Sequence, residues 1–254
     1  MYRIANWNLE RPKLGSEKTK LAIEKIQEIN ADLIVITETS KAVDLSKLYP
    51  FQISTLSYDR TPKEQWVTIW SKWEIIKQIE TFDNYRTVSG IVKFPFGNIS
   101  VFGTIIPYHN AGVSGVRYGS LNYKIWEYHE KDLLAQSDNW ENLIESEKLP
   151  LFVIGDFNQS RFNNQGYGTQ KVRQILTDLL TKLDLKSVTE IDFFEKFLTE
   201  DPITGKTRNN IDHICISNEL LRQMKNYEVG AWNHFNEQRK FMSDHNGVYI
   251  DFEI

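Results

Sequence analysis

Apolar and polar residues alternate from Tyr2 to Trp7, and the chain then turns polar at Asn8-Leu9-Glu10. Alternation of period two predicts a half-buried strand. The next regular stretch, Lys18 to Asn30, places Leu21, Ala22, Ile23, Ile26 and Ile29 at helical spacing and predicts an amphipathic helix. The β-branched run from Asp32 to Glu38 then predicts a strand buried on both faces, with a carboxylate at its far end. Strands are expected near 51–57, 66–70, 74–82, 87–94 and 99–106, so the middle of the chain is β-rich. A long helical stretch follows over 121–146, carrying Leu121, Ile125, Tyr128, Leu133 and Leu134. Leu151 to Ile154 predicts another buried strand. Residues 171–183 predict a helix with Val172, Ile175, Leu176, Leu179 and Leu180 on one side, and Ile214-Cys215-Ile216 and Val248 to Phe252 predict the last strands. No repeat, low-complexity tract or internal boundary interrupts residues 1–254, which are expected to form one mixed α/β layered domain.

Polar side chains with coordination and acid–base chemistry gather at the ends of these strands. Gly155-Asp156-Phe157-Asn158 follows the apolar run 151–154, and continued strand geometry would project Asp156 and Asn158 to one face and Phe157 into the core. Asn8 and Glu10 are spaced in the same way. Glu38 ends the second strand, Asn210-Ile211-Asp212-His213 opens one late strand, and Ser243-Asp244-His245-Asn246 precedes the last. A single strand-end Asp or Asn commonly does no more than close a turn. Five such clusters in one chain are harder to assign to turns alone.

The order Asn8, Glu38, Gly155-Asp156-Phe157-Asn158, Asp212, Ser243-Asp244-His245 resembles the endonuclease/exonuclease/phosphatase superfamily, and the resemblance spans nearly the whole chain. It implies a four-layered α/β sandwich, two packed mixed β-sheets flanked by helices, of the deoxyribonuclease I-like kind. It also implies divalent-metal-dependent hydrolysis of a phosphate ester. By that resemblance Asp156 orients or deprotonates the attacking water, Asn158 holds the phosphoryl group, and His245 contacts the scissile phosphate with Asp212 orienting its ring. Glu38 is the leading metal ligand and Glu10 the second, with Asn8 organising the ligands and Asp244 supporting the metal side. Mg²⁺ is the expected ion, with Mn²⁺ as a substitute, because hard cations prefer oxygen donors. The family's second catalytic histidine or tyrosine near the end of the 99–106 strand has no direct match, and Tyr108 or His109 would have to take its place. Arg117, Tyr118, Arg161 and Arg208 lie in loops expected to border the site, where a guanidinium suits phosphate recognition.

Composition narrows the partner class only partly. The chain has 254 residues, 41% of them hydrophobic, enough to bury a large core. Its 34 acidic and 30 basic residues give a formal charge of −4, so a globally basic nucleic-acid footprint is absent. The lone Cys215 excludes an intrachain disulfide, and no apolar stretch has the length of a membrane span or a secretory leader. A cytoplasmic protein without a stable membrane anchor is expected. Nucleic acid is the first substrate expectation, hydrolysis of inositol phosphates or lipid headgroups the second, and a catalytically silent binding module on the same fold the alternative from another class.

Overall fold

A computed structural model describes residues 1–115, 121–162, 166–194 and 196–254. Two six-stranded mixed sheets pack face to face. The first runs β11(Asn226–Trp232), β12(Gly247–Glu253), β1(Tyr2–Asn8), β2(Leu33–Ser40), β4(Glu64–Ser71), β3(Phe51–Ser54). The second runs β5(Ile75–Ile79), β6(Thr87–Phe94), β7(Gly97–Ile105), β8(Leu151–Asp156), β10(Asp212–Ser217), β9(Leu185–Ser187). One pair in each sheet is parallel, β1 with β2 and β7 with β8. Parallel neighbours need a crossover, and the helices α1(Glu17–Ile29) and α2(Glu127–Glu147) supply them. The third helix, α3(Gln170–Lys182), packs beside α2, and the short α4(Asn218–Gln223) follows β10.

Side-chain parity sets the layers. Ile4, Leu33 and Val35 of one sheet and Phe152, Ile154, Ile214 and Ile216 of the other share the core between the sheets. The alternating residues of the same strands, Ala5, Trp7, Ile34 and Ile36, meet Ala22 and Ile26 of α1 on one outer face. Val153 and Cys215 meet Leu133 and Trp140 of α2 and Leu176 of α3 on the other. The order is helix, sheet, sheet, helices, as the resemblance implied.

Helix α1 keeps close to its expected span because Ser16 accepts a hydrogen bond from the Thr19 backbone N–H and Asn30 closes the end in a left-handed conformation. The long helix is shorter than its pattern. Trp126 has φ +70° and α2 starts only at Glu127, while Leu121 and Ile125 are exposed and contribute nothing to its buried stripe. The apolar stretch 121–126 is therefore a loop that merely resembles a helix face. Strands β9 and β11 and helix α4 carried no clear pattern: β9 is three residues long and the first half of β11 is exposed.

Candidate active site

Between the sheets the inward-facing row changes from apolar to polar at one end. Continuing the parity of Ile4 brings Asn6 and Asn8 into the gap; continuing that of Phe152 and Ile154 brings in Asp156. Asp212 pairs directly with Asp156 across β8 and β10. All four side chains are buried. Gly155 makes this possible, because a Cβ there would come 1.8 Å from the Thr104 carbonyl oxygen of the parallel neighbour β7.

Asn8 and Asn158 converge on Asp156. Asn8 Nδ2 donates to Asp156 Oδ2 at 3.1 Å and to Glu38 Oε1 at 3.5 Å. Asn158 Nδ2 donates to Asp156 Oδ2 and to the Ile106 carbonyl, both at 2.9 Å, and its backbone N–H donates to Asp156 Oδ1 at 2.8 Å. Asp156 and Asn158 therefore share one place, but not by strand geometry: β8 ends at Asp156 and Asn158 has φ +48°. Phe157 does turn into the outer core. Both amide protons of Asn158 are committed, so in this geometry the residue holds Asp156 in place. Glu38 reaches the cluster for a related reason. Strict alternation would point it outward, and its φ of +44° re-aims it toward Asn8, with Arg11 Nε ion-paired to its Oε2 at 2.9 Å.

His245 arrives from the loop before β12. Trp7 Nε1 donates to its carbonyl at 2.7 Å, and Ser243 Oγ ties the same loop to the Asn8 carbonyl. Its Nδ1 donates to Asp212 Oδ2 at 2.6 Å, and Asn6 Nδ2 binds Asp212 Oδ1 at 3.4 Å and the Gly155 carbonyl at 2.8 Å. One ligand atom from each of Asp156, Asp212 and His245 lies within 4.8 Å of the other two. Burial alone would lower the imidazole, but the Asp212 charge and hydrogen bond outweigh it and hold His245 up at about 10. Burial, reinforced by the Asp212 charge, pushes Asp156 well above the ordinary carboxylate range. The site therefore pairs a cationic imidazolium with a carboxylate of high proton affinity.

The oxygen donors suit a hard divalent cation. Glu38 Oε2, ion-paired to Arg11, and Asp244 Oδ1, 3.8 Å from His245 Nε2, are buried carboxylate oxygens; burial, opposed by Arg11 and reinforced by the Asp244 charge, raises the Glu38 proton affinity. Two like charges buried this close are costly, and a shared cation would relieve their repulsion.

An endonuclease/exonuclease/phosphatase family protein from Bacteroides thetaiotaomicron superposes with a TM-score of 0.65 over 99% of this chain and 97% of its own, at 15% identity. This chain has the endonuclease/exonuclease/phosphatase fold. An AP endonuclease from Archaeoglobus fulgidus matches over 100% of both chains with a TM-score of 0.70 and 15% identity. A mannosyl-6-phosphatase from Bacteroides thetaiotaomicron matches over 100% of both chains with a TM-score of 0.64 and 14% identity. No family model matches the sequence, and no curated protein matches it.

Two sequence expectations, Glu10 and Arg161, do not reach the cluster around Asp156. Glu10 adopts φ +50°, hydrogen-bonds through its backbone N–H to Asn8 Oδ1 at 2.9 Å, and turns its partly exposed carboxylate to Lys18. β1 ends at Asn8, so the shared face that the spacing implied never forms. Arg161 points away from the cluster: its guanidinium binds the Arg173 carbonyl at 3.2 Å, Thr177 Oγ1 at 2.8 Å and Glu190 Oε2 at 3.0 Å, and its side chain is 8% exposed. It fastens the loop after β8 to α3. Arg117, with Tyr118, lies outside the described residues. Arg208 does border the site, bonded to the Asp244 carbonyl and 3.7 Å from Asp201.

His109 sits in the loop beyond β7, with Tyr108 packed edge-on against it at 5.9 Å. Its Nδ1 is 2.5 Å from the Tyr167 hydroxyl, and Tyr167 lines a cavity of about 300 Å³ together with Asp212, Asp244 and His245. Sequence reasoning missed Tyr167 and Asn6. Asn6 shares the face of Asn8 and could have been found by the same alternation. Tyr167, between two glycines, carries no periodic signal.

Proposed function

We propose that this protein is a divalent-metal-dependent phosphoesterase whose first substrate class is a nucleic-acid phosphodiester. The observation that carries the reading is the convergence of Asp156, with its Asn8 and Asn158 donors, on the Asp212–His245 pair. Asp156 accepts a proton from the attacking water, which its raised proton affinity favours once it is ionised. Asn8 and Asn158 keep its oxygens aimed. The His245 imidazolium, held by Asp212, offers Nε2 to the charge that develops on phosphoryl oxygen. Glu38 and Asp244, with Asn8 as their organiser, would hold Mg²⁺ or Mn²⁺, which supplies Lewis-acid polarisation of the phosphoryl group.

A second reading, a phosphatase acting on a small phosphorylated molecule, is supported by the size of the cavity beside His245, about 300 Å³ and lined by Tyr167, Arg208, Asn209 and Asn210. A phospholipase-type variant of it and a silent binding module are outcomes of the same test. The experiment is hydrolysis of plasmid, single-stranded and abasic-site DNA, RNA, inositol phosphates and sugar phosphates by purified protein with Mg²⁺, Mn²⁺ or EDTA. Metal-dependent cleavage of nucleic acid that disappears in Asp156→Asn supports the first reading. Turnover confined to monoesters moves the substrate to the second, and silence on every ester overturns both.

A further inference from the structure

Tyr167 is held more firmly than its place in a loop suggests. Its backbone N–H donates to Ser160 Oγ at 2.8 Å and its carbonyl accepts from the Ser160 N–H at 2.7 Å. Arg173 of α3 clasps both flanks, donating to the Gly166 carbonyl at 3.0 Å and the Gly168 carbonyl at 2.6 Å. Gly166 lies so close to Ser160 that a Cβ would come 2.3 Å from the serine Cβ. The phenol ring packs against Trp126 at 5.3 Å and edge-on against His109 at 5.5 Å. Ring and backbone are therefore both fixed before any substrate arrives.

The hydroxyl itself is directed by His109. Tyr167 Oη accepts from the His109 backbone N–H at 3.3 Å and lies 2.5 Å from Nδ1 of the same residue. A phenol oxygen has two lone pairs and one proton. When Nδ1 carries the ring proton, both lone pairs are engaged by His109 and the phenolic proton is left for a further acceptor. The cavity holding Asp212, Asp244 and His245 is the open space on which Tyr167 borders. An anionic oxygen there can only accept, so its binding selects the Nδ1–H tautomer.

Resting on the phosphoesterase reading, we propose that the Tyr167 hydroxyl donates a hydrogen bond to a non-bridging phosphoryl oxygen of the substrate and that His109 is its positioning residue. Tyr167 is thus a catalytic residue supplied from the loop after β8, where the sequence pointed to the loop after β7. A donor preorganised toward developing charge needs no rearrangement during the reaction, which is why its loss falls on turnover.

The test is a double-mutant cycle of kcat and KM on whichever ester the wild type hydrolyses, with thermal melting as a folding control. Tyr167→Phe is expected to lower kcat by about 10- to 100-fold with KM within about threefold, on the scale of one lost transition-state donor. His109→Ala is expected to lower kcat by less, and His109→Gln, which restores an N–H donor, to recover part of the loss. The Tyr167→Phe/His109→Ala double variant should be no slower than Tyr167→Phe, because His109 acts through the hydroxyl. Multiplicative losses would make His109 an independent contact and overturn the positioning assignment. A hydrolysing wild type matched by Tyr167→Phe would end this inference alone, whereas a wild type inert on every ester would end the phosphoesterase reading and this inference with it.

Discussion

Asn8 and Asp156 are 148 residues apart, yet Asn8 Nδ2 donates to Asp156 Oδ2 at 3.1 Å across the gap between the two sheets. The same amide reaches Glu38 Oε1 at 3.5 Å, and Asn8 Oδ1 accepts from the Glu10 N–H, so one buried side chain joins both sheets and closes a turn. Replacing it with Ala leaves two buried carboxylates short of a donor. Asn8→Ala is expected to lose on the order of 1–3 kcal/mol of stability and at least about 10-fold in kcat. Chemical denaturation and steady-state kinetics on the same preparation check both.

Glu38 and Asp156 separate metal holding from proton transfer. Glu38→Ala is expected to weaken Mg²⁺ or Mn²⁺ binding at least about 10-fold by calorimetry, because it removes a buried carboxylate whose charge lies beside that of Asp244. Asp156→Asn should retain binding and lose turnover by several orders of magnitude, as removal of a general base does. EDTA should abolish wild-type turnover, and added Mg²⁺ or Mn²⁺ should restore it.

Arg161 should matter to stability and not to chemistry. Its bonds to Thr177, the Arg173 carbonyl and Glu190 fasten the loop after β8 to α3. Arg161→Ala is expected to cost about 1–3 kcal/mol through lost charge-assisted hydrogen bonds, while KM stays within about twofold. A large rise in KM with unchanged melting temperature would restore the substrate-binding role that its loop position suggested.

Acid sensitivity should originate at two buried imidazoles, His213, which burial lowers to about 3, and His129. Burial lowers the His129 imidazole from 6.5 to about 4, and its ring bonds the Pro107 carbonyl at 2.8 Å and Gln159 at 3.2 Å. The unfolded chain therefore binds the proton first, between pH 6.5 and about 4, so stability falls as pH drops through that window. The loss attributable to His129 is on the order of 3 kcal/mol. His129→Gln should make the stability profile less steep over the same range, with the His213 contribution remaining, and equilibrium denaturation at a series of pH values measures the difference. An identical slope in the variant would remove His129 from the account.

Much of the fold was legible because burial writes a short-range period. Strand β6 and the bulk of α1 and α3 coincide with their apolar patterns, since each presents a face to a core that recurs every two or about 3.6 residues. Where burial was weak the pattern failed: β9 is three residues long, much of β11 is exposed, and Leu121 and Ile125 imitated a helix face while pointing to solvent. Arg161 was placed only by its loop, which sets no side-chain direction, and Glu10 went astray for a related reason. Spacing specifies which face a residue shares only while the strand lasts, and β1 stops at Asn8 and β8 at Asp156.

The sequence by itself determined the layered α/β class and the strand ends at which carboxylates and amides collect, because both follow from local periodicity. Only the tertiary structure decided which of those groups meet. The positive φ values of Glu38 and Asn158, the close approach of Thr104 to Gly155 and the seating of Tyr167 on His109 depend on contacts between residues far apart in the chain. Such contacts leave no period to read, since they are fixed by how the two sheets and their loops pack.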